Sequence, residues 1–133
     1  DIDHKLGASD ITCLIGTRNR TPFLNPYGCT LEFVERQFVY SWCLKASPFT
    51  NESAGVQIRI SKRDCKSNVA VLPTPKILQG RIGMLLVHAL NVKMFVAVVD
   101  IPPRPILQQH FAVYKKTVDL ILECLYEAIY ELD

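Results

Sequence analysis

The sequence predicts an α+β domain: a mostly antiparallel sheet of five or six strands packed on a long C-terminal helix. Three observations carry this expectation. Short alternating apolar runs recur between residues 11 and 99, separated by segments that hold Gly, Pro, Asn or charge. A Pro-Pro pair at 102–103 follows the last run. From Ile106 onward neither Gly nor Pro occurs, and apolar residues repeat in alternating steps of four and three. At 133 residues the chain reads as a single domain, large enough to make a core without metal or disulfide.

Residues 1–10 are polar and are expected to be flexible. Ile11 to Ile15 is a short run with β-branched residues, ended by Gly16, and reads as a strand. Thr17 to Gly28 holds Pro22, Asn25 and Pro26 and reads as a loop. Thr30 to Val34 and Gln37 to Leu44 both alternate, with Phe38, Tyr40, Trp42 and Leu44 on one face of the second run. Only Glu35 and Arg36 separate them, which leaves a hairpin and one long bent strand both open. After a polar loop at 46–54, Gly55 to Ser61 alternates cleanly: Val56, Ile58 and Ile60 inward, Gln57, Arg59 and Ser61 outward. Residues 62–66 form a charged turn, and Val69 to Leu72 is a short strand stopped by Pro73 and Pro75. Lys76 to Leu90 suits either a buried strand or a helix, although Gly80 and Gly83 would each cost a helix about 1 kcal/mol. Val92 to Val99 is a strongly apolar strand ended by Asp100.

The final helix is expected over 105–132, with Pro105 in its first turn, where a missing N–H leaves nothing orphaned. Leu107, Phe111, Tyr114, Val118, Ile121, Leu125, Ala128 and Leu132 form a heptad seam. A second row, Ile106, Val113, Leu120, Leu122, Cys124, Tyr126 and Ile129, widens it. Such a helix would be about 40 Å long. The expected radius of gyration is only about 14 Å, so part of the helix should overhang the sheet.

The opposite face of this helix holds Lys115, Lys116, Asp119, Glu123, Glu127 and Glu131. Carboxylates spaced by four repel by a few tenths of a kcal/mol. They also lie toward the end where the helix dipole disfavours them. Helix stability alone would place lysines there. The row is either a solvated face or a surface for a basic partner. The candidate binding residues are therefore Tyr114, Asp119, Glu123, Tyr126, Glu127 and Glu131, facing another protein or a second copy of the chain. A second candidate is a basic patch of Arg59, Lys62, Arg63, Lys66 and Arg81. It would meet either the acidic stripe of a second copy or nucleic-acid phosphates, with Phe23, Tyr27, Phe38, Tyr40 and Trp42 as stacking platforms. Those aromatics, however, alternate as core residues do, and no RNA-recognition signature is present. A net charge of +2 is too balanced to announce a nucleic-acid binder.

The sequence holds little sign of catalysis. Of three histidines, His4 lies in the polar end, His88 in an apolar run that suggests a hydrogen-bonded core residue, and His110 on the helix without a second ligand. No metal-ligand spacing, nucleophile elbow, phosphate loop or dinucleotide fingerprint occurs. The expectation is a protein that is not an enzyme and carries no cofactor or metal. The five cysteines, Cys13, Cys29, Cys43, Cys65 and Cys124, are odd in number and lack a Cys-x-x-Cys pair. They suit buried reduced thiols and a reducing compartment, cytoplasmic or nuclear. Glycosylation patterns at Asn19 and Asn51 keep a secreted binding module as an alternative. No apolar stretch reaches the roughly 20 residues of a membrane span; Ile82 to Val99 is interrupted by His88, Asn91 and Lys93.

Gly55 to Cys65 resembles a segment near the end of lyssavirus-type rhabdovirus matrix proteins, matching at Gly55, Gln57, Ile58, Arg59, Ser61, Arg63 and Cys65. The strand Lys93 to Val99, followed by Arg104-Pro105 and a long helix, also looks like the strand-to-helix opening of that matrix core. The two pieces stand here in the reverse order. The resemblance implies a viral structural protein of matrix type. Together these readings favour a non-enzymatic interaction or assembly module that self-associates.

Overall fold

The structure, a computed structural model, describes residues 11–18, 20–21, 28–45, 54–61, 68–89 and 92–132. Strands β1 (Ile11–Ile15), β3 (Cys29–Val34), β4 (Gln37–Trp42) and β6 (Val56–Ser61) form an antiparallel sheet in the order β1-β6-β4-β3. Strands β7 (Asn68–Val71), β8 (Ile82–Ala89) and β9 (Val92–Val99) form a second antiparallel sheet in that order. A short parallel pair joins β2 (Arg20–Thr21) to β5 (Leu44–Lys45). The chain ends in helix α1 (Phe111–Leu132). The α+β class holds, with the strands divided between two main sheets rather than gathered into one.

The alternation read from β4 and β6 is the alternation that builds the first core. Phe38, Tyr40 and Trp42 stand opposite Ile60, Ile58 and Val56 in register, so all six side chains share one face. That face packs on Leu85, Val87 and Val98 of the three-stranded sheet. The aromatics of β4 are therefore core residues rather than stacking platforms; Phe23 and Tyr27 lie outside the described residues. The other face of the three-stranded sheet, with Ile82, Met84, Phe95 and Ala97, packs on Ile121, Cys124, Leu125 and Ala128 of α1. The order of layers is sheet, sheet, helix. The middle sheet is covered on both sides, which is why residues 82–99 read as nearly unbroken apolar sequence.

The segment left open between strand and helix resolves into both. Lys76–Leu78 makes one 3₁₀ turn, and β8 begins at Ile82. Gly80 takes a φ of 78° between them, a conformation that costs a side chain dearly. This turn joins the layers: the Gly55 N–H donates to the Gly80 carbonyl (2.7 Å), and Gln79 Nε2 donates to the Cys43 carbonyl (3.0 Å). His88, expected in the core, is exposed near the end of β8.

Gly83 has a separate role. A Cβ built on it would fall inside the Trp42 ring, well short of van der Waals contact. The indole lies directly on the β8 backbone, and only glycine permits that approach.

β3 and β4 form a hairpin. Its turn residues, Glu35 and Arg36, both have positive φ, 50° and 64°. This is the backbone of a type I′ turn, whose twist matches that of the strands. The usual occupants are Asn and Gly; L-residues with longer side chains cost roughly 1–2 kcal/mol each there.

The helix starts later than expected, at Phe111 rather than Pro105. Gln108–His110 forms a 3₁₀ turn before it, and Leu107 is extended. Extended backbone is favoured before proline at Arg104, and Ile106 and Leu107 find no layer to cover them, both being exposed. At 22 residues α1 is about 33 Å long. Among the described residues no helix is long and apolar enough to cross a membrane.

Two outcomes follow from this packing. Gly83→Ala should destabilise the protein by about 2–3 kcal/mol, because the new methyl must displace a fully buried indole. Glu35→Asn with Arg36→Gly should stabilise it by about 1 kcal/mol or more, by relieving the two left-handed residues. Urea unfolding midpoints at unchanged slope measure both.

Candidate interaction surface

The inward face of α1 follows the expected seam only in part. Tyr114, Val118, Leu125 and Ala128 are half-buried and Ile121 is buried, whereas Leu107 and Phe111 are exposed. Arg104 places its guanidinium 5.6 Å from the centre of the Phe111 ring, a cation–π contact. The ring of Phe111 in turn lies 5.9 Å from that of Tyr114. Tyr114 is thus half-buried beside a ring of its own helix, less open than Tyr126.

The second apolar row splits. Leu120 and Cys124 turn inward, while Val113, Leu122, Tyr126 and Ile129 point to solvent. Tyr126 is 72% exposed and Tyr130, which the sequence did not single out, is 84% exposed. Leu122, Tyr126, Ile129 and Tyr130 follow helical spacing and form one outward apolar strip. Beside it, Asp119, Glu123, Glu127 and Glu131 are all exposed, as expected. Lys115 and Lys116 are exposed at the other end of the helix, and no basic residue stands in its last turn.

A signal for the strip was present in the sequence. A helix with apolar residues on opposite sides cannot bury them all against one layer. Reading the second row as a wider single face hid that division.

Of the basic patch, only Arg59 and Arg81 belong to the described residues. Lys62, Arg63 and Lys66 lie outside the described residues. Arg59 is half-buried on β6, with Nε and Nη2 donating to Gln57 Oε1 (3.4 and 3.3 Å). Gln57 and Ser61, expected outward beside it, are buried, so this face of the strand is covered as well. Arg81 sits half-buried in the turn that precedes β8. Among the described residues no group of three or more His, Cys, Asp or Glu is placed to hold a metal ion.

A cleft of about 380 Å³ runs beside the C-terminal half of α1. Leu72, Met84, Cys124 and Ala128 supply its apolar lining, and Glu127 and Glu131 its charge. Burial pushes the Cys124 thiol up, and the Glu127 carboxylate adds to the shift. A thiol so placed stays protonated at neutral pH and is a poor nucleophile.

Cys13, Cys29, Cys43 and Cys124 are thiols rather than disulfides, the last three buried; Cys65 lies outside the described residues. Burial drives Cys29 from its ordinary value of 9.0 up to about 12, against a lowering backbone hydrogen bond involving Ser41 and with a small upward push from Cys43. The folded protein therefore keeps a proton that the unfolded chain releases from about pH 8.5 upward. Between that point and about pH 12 the unfolded state binds fewer protons, so stability must fall as pH rises. Urea midpoints measured from pH 8 to 11 should decline, and Cys29→Ala should flatten the decline.

The chain matches no protein-family description, no curated protein and no solved structure.

Proposed function

We propose that this chain is a non-enzymatic assembly module that self-associates through the outward face of α1, two helices pairing antiparallel about an axis near Leu122. The observation that carries this reading is the strip of Leu122, Tyr126, Ile129 and Tyr130, left uncovered on the side of the helix opposite Ile121 and Cys124, which the middle sheet buries. An exposed contiguous apolar strip with a charged border has the composition of an interaction surface.

The charges select the partner and its direction. The N-terminal half of the helix carries Lys115 and Lys116, and the C-terminal half carries Glu123, Glu127 and Glu131. An antiparallel pair sets each basic end beside the acidic end of its partner. A parallel pair would set like beside like. Antiparallel helices also oppose their dipoles favourably. The surface is thus complementary to itself under a two-fold axis, the commonest symmetry of protein oligomers. A structural role of matrix type, as implied by the resemblance at Gly55–Cys65, is compatible with a chain that assembles on itself. The nucleic-acid alternative rests on Arg59 with Lys62, Arg63 and Lys66, and among these only Arg59, whose guanidinium bonds Gln57, belongs to the described residues.

A charge exchange tests the pairing by sedimentation. Lys115→Glu with Lys116→Glu should weaken dimerisation by about tenfold or more, and so should Glu123→Lys with Glu127→Lys. Mixing the two variants in equal amounts should restore a dimer, because each then meets its opposite. A wild-type monomer at high micromolar concentration, or equal masses for wild type and both variants, would refute the proposal.

A further inference from the structure

We infer that the cleft beside the C-terminal half of α1 is a docking site for an arginine- or lysine-bearing segment of a protein partner. It borders the outward apolar strip and shares Glu127 and Glu131 with the charged edge used in the proposed self-association, so the two compete. The cleft has the two parts that a long basic side chain requires. Leu72, Met84, Cys124 and Ala128 form an apolar wall that suits a methylene stem. Glu127 and Glu131, one helical turn apart, supply two carboxylates for the charged head.

The surroundings reinforce the sign of the charge. The opposite wall is Pro73-Thr74-Pro75, and its prolines have no N–H to offer an anion. The cleft lies toward the C-terminus of α1, where backbone carbonyls concentrate negative potential. No basic residue stands in the last turn to balance it. Among the described residues no cationic one lines the cleft. The carboxylates of 127 and 131 repel each other and oppose the helix dipole, so an arriving cation relieves a cost already present in the free protein. An arginine fits best: its planar head meets carboxylates in a fork, and it is more weakly hydrated than an ammonium.

The test titrates the full, isotope-labelled chain with a blocked heptapeptide, Ala-Ala-Leu-Arg-Leu-Ala-Ala, and with the same peptide carrying neutral citrulline in place of arginine. Amide shift changes should centre on Leu72, Thr74, Met84, Cys124 and Ala128, and citrulline should weaken binding at least tenfold. Glu131→Gln should weaken the arginine peptide severalfold, and Ala128→Phe, which fills the cleft, should abolish binding. Because Ala128 also packs against the middle sheet, the Glu131→Gln result stands even if Ala128→Phe fails to fold. Tyr126→Ala, on the outward strip and outside the cleft, should weaken self-association while the monomer still binds the peptide, so failure of the strip and failure of the cleft are distinguishable. No binding, equal binding of both peptides, or shifts confined to the outward strip would overturn the inference.

Discussion

Trp42 lies across the backbone of β8 at Gly83, and the three layers take their positions from that contact. The indole is almost fully buried, and a side chain at residue 83 would occupy the space of its ring. Burying an indole removes roughly 200 Å² from water, worth about 5 kcal/mol. Its Nε1–H has no hydrogen-bond partner among the described residues, a cost of about 1–3 kcal/mol. Burial wins, so the ring stays in the core despite its orphaned donor. The same contact sets how closely the two main sheets approach at this end. It also aligns the face of β8 that carries Leu85 and Val87 with the face of β6 that carries Ile58.

Once β8 is held from one side, its opposite face decides where the helix goes. Ile82 and Met84 alternate with Gly83 and Leu85, so they point away from Trp42 and form the floor on which Ile121 and Cys124 settle. A helix docked on a three-stranded sheet can bury only one stripe. The remaining apolar residues, with the charged ones, have nowhere to go but outward. The outward strip and the cleft are both products of this limit. The strip is the side that the sheet cannot reach, and the cleft is the seam where the helix leaves the Pro73–Pro75 wall.

Strand alternation was legible because its period of two is local: Val56, Ile58 and Ile60 must share a face whatever lies beyond it. The exposure of the four carboxylates was legible too, since such groups are almost never buried without partners. Other features depended on distant partners. His88 looked internal beside apolar neighbours, but it is exposed. The Glu35–Arg36 turn gave no hairpin signal, because neither residue is the glycine or asparagine that a type I′ turn favours. Tyr114 and Tyr126 looked alike as surface candidates, yet one is half-buried and the other exposed.

The sequence by itself determined the α+β class, most strand positions, the existence of the final helix and the polarity of its charges. These follow from local periodicity, and from Gly and Pro acting on their own backbone. The tertiary structure alone decided that the strands divide into two main sheets, that the middle one is covered on both faces, and that α1 carries an uncovered apolar strip. A repeat shows which residues share a face. What covers that face depends on the width of layers built from residues far away in the chain, and no local pattern carries that width.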